Sequence, residues 1–376
     1  MSIHKKTIGI LGGGQLARML VLKAHQMGLS TVVLAEKLSD PAVQIANSWI
    51  KSSISSNQSI KDIRKLMLIC DVITFESEFI SAELLKKALK GRKSTKILPS
   101  LECLGRIQDR LKQKEWLWDY ELPTLDHVKI NSREDIDLAF KAFDQKVVFK
   151  KRTGGYDGYG TFVIKSLTEL SAFKKSIKNE EFNYIIEPFI QFKSEKSLIF
   201  ARNTLGQTVS FPMIQSVQKN NQCDYVFGPV THAAEKNLKN KIIKFLNQIN
   251  YVGTIAFELF DLGNKLVINE IAPRVHNTGH FSQDALSIDQ FELHLRCVLG
   301  MNLPEIEMKQ PAFVMVNLLG LSTRIPTIKK FPTGAFHWYN KTENRPRRKM
   351  GHVNYIGRSK QKILKKALLE RKGILL

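Results

Sequence analysis

The stretch GTIAFELFDLGNKLVINE, residues 253 to 270, predicts the element around which much of the chain is arranged. Two strand-like apolar runs flank DLGN at residues 261 to 264, a pattern typical of a β-hairpin. The first run carries Glu258 and the second ends at Glu270. Because side chains alternate between the two faces of a strand, the length of the turn decides whether these acids meet.

A turn with an odd number of residues places Glu258 opposite Ile268, so that Glu258 and Glu270 become diagonal neighbours about 7–8 Å apart at Cα. A turn with an even number places the acids on opposite faces. On one face, oxygens from both could ligate Mg²⁺ or Mn²⁺, with substrate phosphates completing the shell, and Asn269 could add an oxygen. The alternative, an exposed strand acid, is disfavoured because the neighbours of Glu258 are largely apolar.

The hairpin runs directly into NEIAPRVHNTGH, residues 269 to 280. This stretch combines an acid, an arginine, two histidines and two asparagines. A segment that only had to fold would not need this mixture, so the sequence predicts a functional segment here. For the histidines, the alternative is a pair of polar residues that cap a loop.

A glycine-rich loop, FKKRTGGYDGYG at residues 149 to 160, forms the second candidate site. Lys150 stands at a predicted strand end, where its charge and the backbone N–H groups of the loop could hold phosphate oxygens. The loop lacks the GxxxxGK[ST] pattern and reads as a flexible hairpin lid, or as an ordinary glycine-rich turn. Combined with the hairpin, it suggests phosphate and Mg²⁺ held between two elements. Glu187 and Glu195 could accept hydrogen bonds from a nucleotide's amine and ribose hydroxyls.

The N-terminal residues predict a βαβ unit with a glycine-rich first turn, GGGQLA, after the strand TIGIL. Gly12, Gly14 and Ala17 fit G-x-G-x-x-A, and Glu36 ends the next predicted strand, so an NAD-dependent oxidoreductase is an alternative. The turn by itself predicts only that a helix N-terminus is free to hold an anion, which could equally be a sugar phosphate. The carboxylate hairpin has no role in hydride transfer and favours the phosphate interpretation.

Length and composition indicate a globular protein of several domains: 376 residues, 43% hydrophobic and 24% charged. The four cysteines are far apart, which argues against a zinc site or a disulfide framework and fits a reducing cytoplasm. No apolar stretch approaches a membrane span, and the start does not read as a signal peptide. The net charge of +22 could indicate a nucleic-acid partner, but the lysines are spread along the chain and no RNA-binding signature accompanies them.

The order of predicted elements indicates a mixed α/β (α+β) protein with three domains. Residues 1–98 form an N-terminal Rossmann-like domain with a parallel sheet, and Pro99 marks the boundary. Residues 99–310 form the central domain, with a mobile lid at about 120–190. Residues 311–376, after Pro304 and Pro311, form a small β-rich domain with a terminal helix.

Several stretches together resemble the N5-carboxyaminoimidazole ribonucleotide synthetase family, whose members are ATP-grasp enzymes of bacterial purine synthesis. They are GILGGGQLARML, TFESE, DRLKQK, KRTGGYDGYG, ELF…NEIAPRVHNTGH, QFELHLR and RRKMGHVN, in this order between about residues 7 and 357. The resemblance implies an ATP-grasp fold, a cytoplasmic homodimer, and small-molecule substrates rather than nucleic acid or membrane. It also implies a carbon–nitrogen ligase reaction. ATP phosphorylates bicarbonate to carboxyphosphate, and the amine of 5-aminoimidazole ribonucleotide is then carboxylated. A formate-using transformylase is the nearest rival.

The resemblance assigns roles residue by residue. For ATP it implies Arg110, Lys150, Gly155, Tyr156, Asp157, Gly158, Tyr159, Gly160, Thr161, Glu187, Pro188, Phe189, Ile190, Glu195, Gln218, Asn269 and Glu270. For the metal it implies Glu258 and Glu270. For the ribonucleotide and bicarbonate it implies Gln15, Leu16, Glu76, Tyr156, Asp157, Arg274, His276, Asn277, Arg348 and Lys349, with Arg274, His276, Asp157 and Lys349 as catalytic residues.

The chemistry of these side chains suits the implied reaction. The guanidinium of Arg274 could clamp bicarbonate or carboxyphosphate, and the imidazole of His276, with a pKa near neutral, could take or relay a proton. The chain departs from the family at Ala17, where glycine is usual, at Tyr159, where lysine or arginine is usual, and at Gln218, where histidine is expected. We therefore expect weaker ATP binding rather than loss of activity.

Overall fold

The structure is a computed structural model that describes residues 6–53, 59–91, 97–155, 159–177 and 182–376. The predicted site residues Tyr156, Asp157 and Gly158 lie outside the described residues.

The N-terminal part of the chain folds around a parallel sheet in the order β3-β2-β1-β4. Both faces of this sheet are covered, so its central strands read as short apolar runs. Helix α1 follows the glycine turn because Leu16, Met19 and Leu20 bury one face of it, and the chain leaves the helix at Gly28, whose φ is +73°. The elements are β1 (Thr7–Leu11), α1 (Gln15–Gln26), β2 (Ser30–Ala35), β3 (Ser48–Lys51), α2 (Ser59–Ile69), β4 (Val72–Phe75), α3 (Ala82–Leu89) and α4 (Leu101–Ile107).

The helical segment after Pro99 is not continuous, because the chain breaks after α4 and begins α5 (Arg110–Asp119). Asp109 is the N-cap of α5: its carboxylate accepts the N–H of Leu111. The same carboxylate receives two hydrogen bonds from Arg152, which lies at the base of the glycine-rich loop. The break places Arg110 at the first position of α5.

A small antiparallel sheet in the order β5-β8-β6-β7 forms the region predicted as a lid. Its core contains Phe149 and Phe173, whose rings are 4.1 Å apart. Strand β6 ends at the glycine-rich loop, and β8 leads into the central sheet. The elements are β5 (Val128–Lys129), α6 (Arg133–Ala142), β6 (Val147–Lys151), β7 (Thr161–Ile164), α7 (Leu167–Ser176) and β8 (Tyr184–Pro188).

A long antiparallel sheet in the order β14-β13-β9-β11-β12-β15-β18-β17 forms the centre of the molecule, with β10 on β9. One face packs against α8 through Phe200, Phe257 and Phe245. The elements up to residue 298 are β9 (Ser194–Arg202), β10 (Thr208–Ser210), β11 (Ile214–Lys219), β12 (Gln222–Gly228), α8 (Glu235–Gln248), β13 (Gly253–Asp261), β14 (Leu266–Ala272), α9 (Ser282–Ala285) and α10 (Gln290–Val298).

The C-terminal residues are β-rich, as predicted, but their main strands continue the central sheet, because β15 pairs with β12 from Gly228 to Tyr225. Tyr339, after β17, packs into the core beside β1 and α1, so this part also contacts the N-terminal sheet. The elements are β15 (Ala312–Leu319), β16 (Thr327–Ile328), β17 (Ala335–Trp338), β18 (Lys349–Gly357), α11 (Lys360–Arg371) and β19 (Ile374–Leu375). None of the helices in the described ranges has the length and apolarity to cross a membrane.

Candidate active site

The predicted hairpin is β13 and β14, and a β-bulge brings its two acids together. Asp261 pairs with Leu266, so the turn has an even number of residues, which in a regular ladder would separate Glu258 from Glu270. The register shifts between Glu258 and Leu259, however, and an extra residue on β14, Asn269, is accommodated there. Glu258 and Glu270 therefore lie directly opposite each other. The expectation that an even turn would separate them is wrong, because it assumed a regular ladder.

A third acid joins the pair on the same face of the central sheet. Glu258 is opposite Ser197 on β9, so Glu195, two residues away, shares its face. Burial, together with the charges of Glu270 and Glu195, raises the pKa of Glu258 to about 8. This face is thus an acidic, partly exposed surface that would be stabilised by a cation.

Arg110 and Lys150 supply positive charge at the edge of this acidic face. The guanidinium Nη1 of Arg110 lies 2.5 Å from Oε2 of Glu270. Burial would raise the pKa of Glu270, but Arg110 outweighs it and holds that pKa below its usual value. Lys150, at the end of β6, donates to Oδ1 of Asn269 at 2.8 Å, so the bulge residue joins the hairpin to the small sheet.

Glu187 on β8 binds two lysines rather than presenting its carboxylate to solvent. Its oxygens lie 2.7 Å from Nζ of Lys150 and 3.0 Å from Nζ of Lys114, and its side chain is 1% exposed. Burial would raise the pKa of Glu187, but Lys150 and Lys114 outweigh it and lower the pKa to about 2. Each oxygen of Glu187 already contacts one ammonium group, and the suggestion that this carboxylate also accepts hydrogen bonds from a nucleotide stays a prediction.

Arg274 and His276 follow β14 and face the acidic surface. Arg274 donates hydrogen bonds from Nε and Nη2 to the carboxylate of Glu78, with Nη2 2.6 Å from Oε1. Its Nη1 donates to the carbonyl of Val275 at 3.0 Å. Each terminal nitrogen keeps one further N–H for another acceptor. The predicted clamp on bicarbonate therefore has to use these remaining N–H groups while Glu78 fixes the plane of the guanidinium.

His276 lies with Nε2 3.4 Å from Oε1 of Glu258. The N–H of Thr278 approaches Nδ1 at 3.4 Å, so Nδ1 is the acceptor and Nε2 carries the proton of the neutral ring. Burial, and then the charges of Arg274 and Lys349, lower the pKa of His276 to about 3. The prediction of a pKa near neutral is wrong because it ignored this burial and the adjacent cations.

The N-terminus of α1 already holds a carboxylate. Glu76 accepts the N–H groups of Gly14 at 2.5 Å and Ala17 at 2.9 Å, and burial raises its pKa. A Cβ at Gly14 would lie 2.7 Å from Oε1 of Glu76, so a larger residue here would displace this carboxylate. The expectation of a free helix N-terminus is therefore wrong for Gly14 and Ala17. The carboxylate stands where a dinucleotide's pyrophosphate would bind, which argues against the oxidoreductase alternative.

Three basic residues of the C-terminal part interact with one another, and one of them, Lys341, also lies near Glu76. Burial, and then the charge of Arg348, lower the pKa of Lys341 to about 7, with Glu76 opposing the shift. Lys349, at the start of β18, is close enough to His276 to lower the pKa of that histidine. Arg348 is held by the backbone carbonyl of Glu343, at 3.1 Å from Nη1. Lys341, Arg348 and Lys349 thus form a basic cluster beside α1.

Family models match most of the chain. A ribonucleotide synthetase preATP-grasp domain matches residues 5–108, an ATP-grasp domain matches residues 115–291, and a phosphoribosylaminoimidazole carboxylase C-terminal domain matches residues 313–366. The chain is 35% identical to the N5-carboxyaminoimidazole ribonucleotide synthase of Aquifex aeolicus, covering 96% of this chain and 94% of the relative. It is 34% identical to that of Synechococcus elongatus, covering 92% and 88%.

The chain belongs to the N5-carboxyaminoimidazole ribonucleotide synthase family. Among solved structures, it is similar to the N5-carboxyaminoimidazole synthetase from Staphylococcus aureus complexed with ADP, with a TM-score of 0.88 at 30% identity over 99% of both chains. The predicted family and the predicted ATP-grasp fold are confirmed. The domain boundaries and the individual site residues stay predictions.

Other residues that the resemblance to the synthase family implies lie around the same space. Gly155 lies beside Arg110, because a Cβ there would be 3.7 Å from the Nε of Arg110. Gln218 hydrogen-bonds Glu195 with its side chain, so the residue in place of histidine still holds an acid of this face. The ring of Phe189 lies 4.1 Å from Nζ of Lys165. The half-buried residues of this group are Gln15, Pro188, Phe189, Ile190, Gly160, Thr161, Asn277, Arg348 and Lys349, whereas Leu16 is buried.

Tyr159 and His280 differ in exposure from the half-buried residues just described. Tyr159 is 64% exposed. His280, the second histidine of NEIAPRVHNTGH, is buried, and its ring lies 4.8 Å from that of His352, so it belongs to the core behind the site. This position favours the structural interpretation of His280.

Sequence reasoning missed several residues that organise this synthase-family site: Glu78, Lys114, Lys341 and Gln290. Glu78 had a signal, because TFESE places two acids at the end of a predicted strand, yet only Glu76 received a role. Lys114 and Gln290 lie inside helical patterns that read as ordinary amphipathic helices. Lys341 stands in a loop whose position depends on the packing of Tyr339. Only tertiary contacts identify these last three.

Proposed function

We propose that this chain carboxylates 5-aminoimidazole ribonucleotide with bicarbonate and ATP, a reaction that fits relatives named N5-carboxyaminoimidazole ribonucleotide synthase. The products are N5-carboxyaminoimidazole ribonucleotide, ADP and phosphate. The observation that carries the proposal is the direct opposition of Glu258 and Glu270, with Arg110 and Lys150 at the edge of the same acidic face. ATP-grasp membership and the ADP-bound relative support nucleotide binding between the small sheet and this hairpin.

The donor set on the acidic face fits Mg²⁺. Among the described residues, no cluster of three or more histidine, cysteine or acidic side chains has the arrangement of a metal site. Mg²⁺ does not require one, because it is usually bound by one or two carboxylates together with water and substrate phosphates. Glu258 and Glu270 would hold it, with Asn269 adjacent. When bound, the ion would neutralise phosphate charge and polarise the transferred group.

The nucleotide would bind with its phosphates near Lys150, Arg110 and the glycine-rich loop. Glu187 keeps Lys150 aimed at Asn269, and therefore at the hairpin, through contacts of 2.7 Å and 2.8 Å. The remaining predicted contacts, from Glu195 and from the segment Pro188 to Ile190, lie where β8 joins the central sheet. Tyr156, Asp157 and Gly158 stay proposals from the family motif alone.

The ribonucleotide would bind between α1 and the C-terminal basic cluster. Its phosphate is an anion of the kind that Lys341, Arg348 and Lys349 attract. Gln15 and Leu16 are the first two residues of α1, between the two residues whose N–H groups Glu76 accepts, and the N–H groups of a first helical turn are available to an anion. This placement would direct the base toward Arg274 and His276.

The proposed chemistry proceeds in two steps. A bicarbonate oxygen attacks the γ-phosphorus of ATP, the bond to ADP breaks, and carboxyphosphate forms and breaks down to CO₂ and phosphate. The exocyclic amine then attacks CO₂, a carbon–nitrogen bond forms as one C=O π pair moves onto oxygen, and the proton of the amine passes to the phosphate released from carboxyphosphate. Arg274 would orient bicarbonate with its remaining N–H groups. His276, neutral with its proton on Nε2, would donate a hydrogen bond, and the closed lid would exclude water.

We further propose that the chain acts as a cytoplasmic homodimer, as the resemblance implies. Ile325 and Phe331 line one groove of the C-terminal part and are 89% and 69% exposed, and apolar side chains exposed together are typical of an association surface. Light scattering of the wild type and of Ile325→Lys tests this: a dimer that uses this surface dissociates in the variant. A wild-type monomer at all concentrations would contradict it.

The reaction is tested by measuring ADP release with each substrate omitted in turn. We expect release that requires both 5-aminoimidazole ribonucleotide and bicarbonate, and formate should not replace bicarbonate. Glu270→Ala should abolish the release. ADP release that is indifferent to bicarbonate, or that responds to formate, would contradict the carboxylation and favour a transformylase.

A further inference from the structure

Two buried glutamines hydrogen-bond the backbone at the end of β14 and in the segment that follows it. Gln113 accepts the N–H of Ile271 with Oε1 at 3.0 Å. Gln290 accepts the N–H of His276 with Oε1 at 2.8 Å and donates from Nε2 to the carbonyl of the same residue, also at 2.8 Å. The side-chain amide of Gln290 thus hydrogen-bonds both the N–H and the carbonyl of His276, as the backbone of a neighbouring β-strand would. Arg274 lies between the two held residues.

The amide of Gln290 has no freedom to turn. The residue is 0% exposed and starts α10, which Asp289 caps by accepting the N–H groups of Phe291 and Glu292. Its own N–H donates to Oγ of Ser282 at 3.0 Å. The Nε2 atom also lies 2.9 Å from Nδ1 of His280. A flipped amide would turn Nε2 toward the N–H of His276 and Oε1 toward its carbonyl, so both bonds to the backbone of His276 would be lost.

We propose that Gln290 is a positioning residue for His276, which acts on the substrates as described under the proposed function, on which this inference rests. Holding both backbone groups of His276 fixes the direction in which its imidazole leaves the chain. That direction places Nε2 3.4 Å from Oε1 of Glu258. A primary amide is required because glutamate lacks the donor and methionine lacks both groups.

Replacing Gln290 should therefore affect turnover more than nucleotide binding. In Gln290→Met the N–H and carbonyl of His276 lose their partners, and the imidazole shifts relative to Glu258 and the substrates. Because a misplacement of about 1 Å can cost on the order of 100-fold in rate, we expect kcat to fall by roughly 30- to 100-fold. The KM for ATP should change by less than about twofold, since Gln290 lies behind His276 and not beside Lys150.

A double-mutant cycle separates positioning from general damage. We would compare kcat for Gln290→Met, His276→Asn and the double variant. If Gln290 acts through His276, the double variant is no slower than His276→Asn alone. A control is Asn203→Leu, which also removes a 0% exposed amide that holds backbone, here the N–H groups of Leu205 and Gln207, away from the site. It should lower the melting temperature and leave kcat unchanged.

A second variant perturbs the same contact from the other side, in case Gln290→Met does not fold. A Cβ at Gly279 would lie 2.5 Å from Oε1 of Gln290, so Gly279→Ala pushes on the amide without removing it. The same fall in kcat with an unchanged KM for ATP is expected. The proposal is overturned if either variant keeps wild-type kcat, if the losses multiply in the cycle, or if His276→Asn is fully active. In each of those cases, wild-type ADP release that needs both substrates would leave the proposed function standing.

Discussion

At the scale of single residues, Glu187 illustrates how buried charges of opposite sign are paired in the site. Its carboxylate lies 3.0 Å from Lys114 and 2.7 Å from Lys150, with all three side chains largely buried. Burial lowers the pKa of Lys114 to about 8, and the charge of Glu187 opposes that shift. Glu187 therefore favours the charged form of Lys114 in a place where burial disfavours it.

Glu187→Gln should destabilise the chain and weaken ATP binding. Removing one partner of a buried ion pair costs about 3–5 kcal/mol, because the remaining charge is left unpaired. Urea unfolding measures this loss, and Lys114→Met is the matched control, because it leaves one acid, Glu187, paired with one lysine, Lys150.

The low pKa of Glu187, about 2, means that the contribution of its charge to stability is complete above about pH 4.3 and is lost as the pH falls toward 2. An unchanged unfolding free energy in Glu187→Gln would contradict this.

Lys341 gives a pH dependence that can be measured on the substrate side. Its pKa of about 7 means that it is charged below pH 7 and loses its charge as the pH rises. The KM for the ribonucleotide should therefore rise between pH 7 and 9. In Lys341→Arg the KM should stay flat over this interval, because arginine remains charged. The proposed phosphate contact is wrong if wild type and Lys341→Arg show the same profile.

The residues of the candidate site could be predicted wherever a sequence motif contained them, whereas the side chains that they contact in the fold could not. Glu258, Glu270, Arg274 and His276 could be selected from the sequence because acids and imidazoles stand out among apolar strands. The neutral state of His276 could not, since it depends on burial and on Lys349, which is far away in the sequence. Sequence patterns report local chemistry, whereas a pKa reports the three-dimensional surroundings.

At the scale of elements, the bulge in β14 is the feature that makes the hairpin functional. An even turn and a bulge each shift the register by one residue, and together they return both acids to one face. The hairpin itself was predictable from apolar alternation and the glycine-containing turn. The bulge was not, because no local signal in VINEI marks Asn269 as the extra residue; its contact with Lys150 comes from another sheet.

The break between α4 and α5 gives a prediction at this scale. Asp109 caps α5 and also binds Arg152, so Asp109→Ala should lose both interactions. A lost N-cap costs about 1–2 kcal/mol, and the loss should appear in the free energy of unfolding. Asp109→Asn is the control, because asparagine can still cap the helix while the ion pair is gone. Equal destabilisation by both substitutions would show that the cap contributes little.

At the scale of the whole molecule, the C-terminal strands and the central strands form one continuous sheet. The pairing of β12 with β15, followed by β15 with β18, joins parts that the sequence suggested were separate. The β-rich character of the residues after Pro311 could be predicted from the sequence. Pairing between strands that are far apart along the chain is not encoded in any local pattern. The continuity also places Lys341 and Lys349 beside the N-terminal sheet, where the substrate is proposed to bind.

One sheet should melt as one unit. We expect a variant that keeps only Trp116, in the core under α8, and a variant that keeps only Trp338, on β17, to show the same fluorescence melting temperature. Far-ultraviolet circular dichroism of each variant corrects for any effect of the substitutions themselves. A Trp338 transition well below that of Trp116 would mean that the C-terminal strands unfold separately.

The central claim is that Glu258 and Glu270 together hold the metal beside the triphosphate. Electron paramagnetic resonance of Mn²⁺, titrated with a non-hydrolysable ATP analogue, measures this without relying on turnover. We predict tightly bound Mn²⁺ in the wild-type protein with the analogue, and loss of most of that binding in both Glu258→Gln and Glu270→Gln. Wild-type Mn²⁺ binding in either variant would contradict the account.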